Sequence, residues 1–240
     1  MPNAQRPLFI DLNADIGEGF PWDDELMAIV TSGNVGLGDH AGSPELTVET
    51  AERWFAAGKA IGLHPGYPDR DNMGRRSPVS FTEGKTWGAD LFAQVHRATV
   101  GRLIWRYLKP HGAFYNNSGW NALPSAIFSL QHLSHFARLP LLGLADTPHE
   151  ALARREGLAF FREGFADRRY TEEGQLVSRS EPSAVIESDT EAAEQAVRLA
   201  LSGRFDSLCL HGDKPDCVVR ARAVRSALER EGFALAPFAP

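Results

Sequence analysis

Polar side chains that could bind a ligand or move a proton recur along this chain, each group just after a short apolar run. The groups are Asp11, Asn13, Asp15 and Glu18; Asp39 and His40; His64; Lys109 and His111; Asp167, Arg168 and Tyr170; and His211 and Asp213. In proteins built on parallel strands, the carboxyl ends of the strands carry the chemistry, contributed by segments far apart in sequence. The pattern therefore predicts an enzyme.

The first group alternates polar and apolar residues. On an extended strand, Asp11, Asn13 and Asp15 point to one side. Such a trio is costly to bury unless it binds a ligand, a metal or a reacting proton, or is hydrogen-bonded as a structural network. We interpret the trio as catalytic, with the structural network as the alternative. Glu18, between Gly17 and Gly19, either reaches the same site or faces solvent.

Four of the eight histidines lie within two residues of a glycine or proline just past an apolar run. They are His40, His64, His111 and His211. One loop histidine is more often structural, but four at corresponding positions predict acid–base chemistry or ligand binding. No H-E-x-x-H zinc motif is present, so a metal stays an open hypothesis with Asp11, His64 and His111 as candidate ligands.

Two basic segments are candidates for binding an anion. Lys109 precedes a Pro-His-Gly turn, and Arg76 lies in a loop rich in glycine, proline and aspartate. Cations beside exposed glycine backbone suit a carboxylate or phosphate. We expect the stem of Lys109 to be packed and its ammonium to reach the cavity mouth. A short hairpin is expected after Asp167 and Arg168, which either join the site or pair with each other.

The elements that must position these residues are short strands alternating with helical segments. The apolar runs are 8–10, 35–37, 60–63, 104–108, 139–144, 158–165 and 208–210. This alternation predicts about seven parallel strands in an α/β barrel, since polar groups follow nearly every strand. The length of 240 residues suits one domain over 1–240.

Helix boundaries are signalled by local chemistry. Ser43 before a proline, and Ser80 with Glu83, predict helix starts. Gly203 and Gly232 predict the ends of the last two helices.

Composition excludes several functional classes. The formal net charge is -6, and Lys and Arg form no stripe, which disfavours nucleic acid. The apolar runs fall far short of the roughly 20 residues of a membrane span, and the start of the chain lacks a signal-peptide pattern, so we expect a cytoplasmic protein. Cys209 and Cys217 predict neither disulfide nor thiolate metal site and are interpreted as packing residues.

Six ordered motifs cover nearly the whole chain: DLNADIGEGF, GNVGLGDHAGSP, GLHPGYPDR with MGRR, LKPHGAFYNN, FADRRYTEEGQLVSR and LHGDKP. In these motifs the chain resembles the LamB/YcsF family, the A component of bacterial 5-oxoprolinase. The resemblance implies a seven-stranded TIM-like barrel of the glycoside hydrolase/deacetylase type. It also implies ATP, with Mg²⁺, and two partner subunits of B and C type, which together open 5-oxoproline to L-glutamate.

Residue roles follow from the motifs and the resemblance together. The catalytic candidates are Asp11, Asn13, Asp15, His40, His64, Lys109 and His111. The substrate- or anion-binding candidates are Glu18, Asn34, Arg76, Tyr115, Asp167, Arg168, His211 and Asp213. We expect Asp11, Asn13, His40, His64 and His111 to converge on one cavity.

The second motif departs from the family pattern. Leu37 stands where a cysteine is usual, Asp39 where an aromatic ring is usual, and Ser43 where a carboxylate is usual. Asp39 adds a charge beside His40 that could tune its pKa. These changes leave open a different lactam or amide as substrate.

Two other functions remain as alternatives. One is a metal-dependent amide or ester hydrolase of the deacetylase type, and the other is a non-catalytic subunit that binds a lactam or carbohydrate. No GxxxxGK[ST] loop is present, so an ATP site on this chain would not be a P-loop, and a partner could hold the nucleotide instead.

Overall fold

A computed structural model describes residues 8–179 and 181–239. Parallel strands form a closed barrel in which β1 pairs with both β2 and β7. The strands are β1 Leu8–Ile16, β2 Ser32–Gly36, β3 Ala60–His64, β4 Tyr107–Leu108, β5 Leu141–Gly143, β6 Phe160–Phe165, β7 Ser207–Leu210 and β8 Phe233–Leu235. The predicted seven-stranded TIM-like barrel is confirmed. That residues 1–240 form one domain stays a prediction, since 1–7, 180 and 240 lie outside the described part.

Helices surround the barrel, in the order expected from strand–helix alternation. They are α1 Asp23–Met27, α2 Pro44–Ala56, α3 Phe81–Thr99, α4 Gly112–Ser118, α5 Pro124–Ala137, α6 Pro148–Glu156, α7 Asp189–Leu201 and α8 Cys217–Arg230. Among the helices of the described chain, none combines the length and apolar character needed to cross a membrane.

The predicted helix caps are confirmed. Ser43 Oγ accepts a hydrogen bond from the Leu46 amide at 3.2 Å, and Ser80 Oγ accepts one from the Glu83 amide at 3.1 Å. The last two helices end just before Gly203 and Gly232. The predicted hairpin is also present, since Tyr170 and Leu176 form an antiparallel bridge.

Strand β1 is longer than its apolar run. It continues to Ile16, so Asp11, Asn13 and Asp15 lie along the strand and only Glu18 lies beyond its end. Leu12 and Ala14 are buried in the hydrophobic core. Asp11 and Asn13, on the opposite face, lie beside Ser207 and Cys209 of β7 in register. The alternation therefore arranges the polar side chains of β1 in successive layers inside the barrel.

A short eighth strand was not predicted. Strand β8 pairs with Leu8–Ile10 at the amino end of β1, whereas β7 pairs with the segment that begins at Asp11. Three residues bounded by Gly232 give too weak a pattern to separate from a loop. This strand lies at the barrel end opposite the polar groups.

Candidate active site

A cavity of about 280 Å³ opens among the loops that follow the carboxyl ends of the strands. Seven predicted site residues line it: Asp15, His64, Lys109, His111, Tyr115, Arg168 and His211. They come from β1, β3, the end of β4, α4 and the loops after β6 and β7. The barrel thus brings most of the polar groups to one place, as its topology predicts.

Lys109 lies at the base of this cavity, between two carboxylates. Its Nζ is 3.0 Å from Asp15 Oδ1 and 2.8 Å from Glu163 Oε1. Burial alone would lower the pKa of Lys109, but the charges of Asp15 and Glu163 hold it well above its usual value. The expectation that the ammonium reaches the cavity mouth is wrong: the side chain is 3% exposed. Two buried anions hold it inside the barrel.

Glu163 is a site residue that sequence reasoning missed. It lies within β6, which was interpreted as a plain apolar run, and it is buried. Its Oε2 accepts a hydrogen bond of 2.7 Å from the hydroxyl of Tyr115. Burial, followed by the charge of Glu163, raises the pKa of Tyr115 well above its usual value, so the hydroxyl remains a donor. A lone carboxylate inside an apolar strand was the available signal.

His64 and His111 face each other at the cavity wall. His64 Nδ1 lies 2.8 Å from the Lys109 carbonyl oxygen, and His111 Nε2 lies 2.8 Å from that of Met73. The remaining nitrogens, His64 Nε2 and His111 Nδ1, are 2.9 Å apart. His64 Nε2 is also 3.3 Å from Asp15 Oδ1.

Glu18 points into the barrel and contacts the histidines. It therefore reaches the site and does not face solvent. Its Oε1 lies 3.1 Å from His40 Nε2 and 3.5 Å from His111 Nδ1. The ring of His40 stacks on that of His111 with centroids 4.0 Å apart. His40 therefore supports Glu18 and His111 from behind.

Glycine is required at the turn that carries His111. Gly112 has φ +54°, and a Cβ there would lie 2.7 Å from the carbonyl oxygen of Gly74. The close approach brings the 73–76 loop against His111.

Asp11 lies one layer deeper, below the cavity. Its carboxylate accepts hydrogen bonds of 2.6 Å from both Thr31 and Ser32, and one from Ser207. Burial raises its pKa from 3.8 to about 6, although these hydroxyls oppose the shift. The carboxylate of Asp11 thus accepts its hydrogen bonds from hydroxyl groups. Its expected place as a metal ligand beside His64 is not supported by this geometry.

Two amides connect the deep layer to Asp15. Asn34 Nδ2 donates to Asn13 Oδ1 at 2.7 Å and to Asp15 Oδ1 at 2.8 Å. Tyr107 donates to Asn34 Oδ1 at 2.7 Å. Asn34, expected to bind substrate, is fully buried and orients Asp15, and Asn13 lies 3.5 Å from Lys109 Nζ. The expected convergence on the cavity thus holds for His64 and His111. His40 lies behind them, and Asn13 and Asp11 lie beneath.

Of the two adjacent arginines in the 73–76 loop, Arg75 faces the cavity and Arg76 does not. Arg76 binds Glu83 at 2.8 Å and lies over the ring of Trp87 on the outside. Arg75 lines the cavity and pairs with Asp213, which also pairs with Arg179 at 3.2 Å. Adjacent residues of a loop point in different directions, which the sequence could not resolve. Arg179 was likewise missed.

His211 pairs with Asp167 on the opposite wall. The Nδ1 atom lies 2.9 Å from Asp167 Oδ1, and the His211 amide donates to Oδ2 at 2.9 Å. Burial would raise the pKa of Asp167, but His211 lowers it to about 2. Arg168 instead donates to the carbonyl oxygens of Ala184 and Val177. The alternative that Asp167 and Arg168 pair with each other is therefore wrong.

Cys209 is more than a packing residue. Its sulfur lies 3.1 Å from Lys109 Nζ, on the inner face of β7. Burial raises the pKa of this thiol well above its usual value, so it borders the site as a neutral group.

The model of the LamB/YcsF family matches residues 10–240. The chain belongs to the LamB/YcsF family. It is 38% identical over 249 residues to the 5-oxoprolinase A component of Methylococcus capsulatus, covering 95% of each chain. It is 39% identical to the 5-oxoprolinase A component of Paracidovorax citrulli, covering 97% of this chain and 100% of the relative.

Solved structures agree with this membership. A lactam utilization protein from Thermus thermophilus superposes with a TM-score of 0.81 at 33% identity, covering 95% of this chain and 99% of that one. The catalytic domain of a peptidoglycan N-acetylglucosamine deacetylase from Eubacterium rectale gives a TM-score of 0.55 at 12% identity, covering 98% and 91%. The second likeness shows a shared fold alone.

The departures of this LamB/YcsF chain from the family pattern have local structural roles. Leu37 is buried in the core, and Ser43 caps α2. Asp39 pairs with Arg97 of α3 at 2.6 Å, whereas His40 takes Glu18 as its partner. The carboxylate of Asp39 therefore forms an ion pair outside the cavity.

Proposed function

We propose that this LamB/YcsF chain is the A component of an ATP-dependent 5-oxoprolinase, which opens the lactam of 5-oxoproline to L-glutamate. The relatives that carry the 5-oxoprolinase name support this assignment. The observation that carries it is a cavity with a buried ammonium, Lys109, between Asp15 and Glu163 at its base and guanidinium groups at its rim.

The rim suits the carboxylate of 5-oxoproline. Arg75, Arg168 and Arg179 all line the cavity, and guanidinium groups bind carboxylates with two parallel hydrogen bonds. Burial and then the nearby charge of Arg179 lower the pKa of Arg168 to about 10. Arg75 and Arg179 share the single carboxylate of Asp213, so positive charge is in excess at this wall, which favours an anionic ligand.

The base of the cavity suits the amide group of the lactam. Lys109 and Tyr115 can donate to the lactam oxygen as negative charge develops there, and a carboxylate of Asp15 or Glu163 can accept a proton from water. ATP would transfer its terminal phosphoryl group to that oxygen. Addition of water, loss of phosphate and cleavage of the ring C–N bond then give L-glutamate, ADP and phosphate.

The proposal includes Mg²⁺ with the ATP, a cytoplasmic location, and partner subunits of B and C type. The naming of the relatives as one component of 5-oxoprolinase supports an assembly of several chains. The nucleotide would bind this chain or a partner.

Reconstitution tests the function. The purified chain is combined with candidate B and C partners, Mg·ATP and 5-oxoproline, and glutamate and phosphate are measured together. We expect equal release of both by the complex and almost none by the chain alone. Lactam opening by the chain alone, in a preparation free of partners, would contradict the division of labour.

The same assay distinguishes the other two functions. Hydrolysis of simple amides or esters without ATP would replace the proposal with a metal-dependent hydrolase. Tight binding of 5-oxoproline with no turnover in any complex would identify a binding protein without catalytic activity.

A further inference from the structure

We propose that Asp15, Glu18, His64 and His111 bind one divalent transition-metal cation, of which Zn²⁺ is the test case. One donor atom from each residue lies within 4.8 Å of the other three. The inference needs neither ATP nor a lactam, so it stands apart from the proposed function.

The hydrogen bonds of the two histidines carry the first argument. A backbone carbonyl accepts only, so His64 Nδ1 and His111 Nε2 must both donate, to Lys109 and Met73. In neutral rings this leaves lone pairs on His64 Nε2 and His111 Nδ1, which face each other at 2.9 Å. Two facing lone pairs repel, and a cation between them turns the repulsion into coordination.

The spacing of the donors fits a small cation. Zinc bonds to nitrogen and carboxylate oxygen are about 2.0–2.2 Å, so neighbouring ligands of a tetrahedral ion are about 3.4 Å apart. The corresponding separations are 2.9 Å between His64 and His111, 3.3 Å between His64 and Asp15, and 3.5 Å between His111 and Glu18. The other three pairs of donor atoms are each within 4.8 Å, so the side chains need to move by only about an ångström to reach this spacing.

The net charge of the buried side chains also favours a bound cation. Asp15, Glu18 and Glu163 are buried carboxylates, and Lys109 is the ammonium buried with them. Fully ionised, this group of side chains carries a net charge of two minus, because three negative charges face one positive charge. Uncompensated buried charge is strongly unfavourable. A dication would neutralise the group.

The surroundings orient the proposed ligands as metal sites require. The two carbonyl oxygens fix the histidine rings, His40 Nε2 holds Glu18 at 3.1 Å, and Asn34 holds Asp15 at 2.8 Å. Asp15, His64 and His111 line the cavity, which gives a cation a path from solvent. Mixed nitrogen and oxygen donors suit Zn²⁺ better than Mg²⁺, which prefers six oxygens.

A second group shares Asp15 and provides the matched control. Asp15, Cys209 and His211 also bring three donor atoms within 4.8 Å of one another. The experiment must therefore separate His111 from His211, two histidines of the same cavity.

The full chain is stripped with a chelator, and Zn²⁺ binding is measured by titration calorimetry and by metal content after gel filtration. We expect one Zn²⁺ per chain, retained in the presence of millimolar Mg²⁺. His111→Gln and His64→Gln should each weaken binding at least about tenfold. His211→Gln should change it less than about threefold.

Two results would overturn the proposal. One is wild-type protein that retains no Zn²⁺, which would leave a shared proton between the histidines. The other is loss of binding in His211→Gln with binding intact in His111→Gln. If the variants fail to fold, as judged by circular dichroism, Co²⁺ added to the wild type decides. Intense visible bands indicate the expected four-coordinate site, and weak six-coordinate bands contradict it.

Discussion

Strand β1 places two aspartates on the same face of the barrel interior, and they have opposite electrostatic environments. Asp11 is surrounded by the hydroxyls of Thr31, Ser32 and Ser207, and burial raises its pKa to about 6. Asp15, four residues further on, is also buried, but the charge of Lys109 holds its pKa well below the usual value. The partners of the deep carboxylate are hydroxyls, whereas the partner of the Asp15 carboxylate is a cation.

Two aspartates of one alternating sequence pattern therefore have different roles: Asp11 is structural, and Asp15 is available for chemistry. Hydroxyl partners satisfy hydrogen bonds without compensating charge, so the deep carboxylate tends to protonate. Cationic partners preserve ionised groups beside the cavity, where a reaction can use them. The two layers should therefore respond differently to substitution and to pH.

The largest effect is expected at Lys109 in the cavity layer. Lys109→Ala leaves Asp15 and Glu163 buried without their shared cation, so the free energy of unfolding should fall by about 3–5 kcal/mol. An ammonium at the cavity mouth, the position expected from the sequence, would give little loss of stability on this change. Urea unfolding measures it, with Lys85→Ala on the exposed face of α3 as the control. Equal stability of the two variants would contradict the buried ion triad.

Turnover in the reconstituted complex provides a second readout for the same residue. Lys109→Ala should lower it at least about tenfold. Lys109→Arg should restore it poorly, because a planar guanidinium does not fit the position of a compact ammonium.

In the deep layer, Asp11→Asn should remove a pH dependence of the free energy of unfolding. The folded state holds the Asp11 proton more tightly than the unfolded state, so this residue lowers the free energy of unfolding as the pH rises from about 4 to about 6. The full effect is about 3 kcal/mol, constant above that window. Unfolding at several pH values should show wild type losing stability relative to Asp11→Asn across this range. A constant difference would show that Asp11 stays ionised.

Asp167, beside the cavity, should give the free energy of unfolding a pH dependence of the opposite sign. His211 lowers its pKa to about 2, so its contribution to stability is present above about pH 4 and is lost as the pH falls toward 2. The size is about 2 kcal/mol. Asp167→Asn should be less stable than wild type at pH 6, and the gap should close at pH 2. A gap that persists at pH 2 would point to lost packing in place of charge.

The smallest expected effect concerns substrate recognition at the rim. Arg179→Gln should raise the KM for 5-oxoproline about tenfold, equivalent to about 1.4 kcal/mol, with little change in kcat. Arg76→Gln should leave KM unchanged, since that side chain lies outside with Glu83. Steady-state kinetics of the complex measure both. If Arg76→Gln changed KM as much as Arg179→Gln, the assignment of the rim would be wrong.

The amino-acid sequence by itself determined the barrel, because its local signals were redundant. Short apolar runs, the caps at Ser43 and Ser80, and the glycines at 203 and 232 each specify an element from neighbouring residues. The polar alternation in β1 and the turn histidines His64 and His111 also marked one end of the barrel, since parallel strands must end together.

Tertiary structure alone decided how deep each side chain lies and which charges meet. Glu163 joins Lys109 across the barrel, and Arg75 faces the cavity while Arg76 faces outward. These contacts join residues distant in sequence, and they depend on strand register and loop direction, which no local pattern encodes. The sequence identified groups able to do chemistry, but closure of the barrel selected Asp15 over Asp11 by giving one of them a cation.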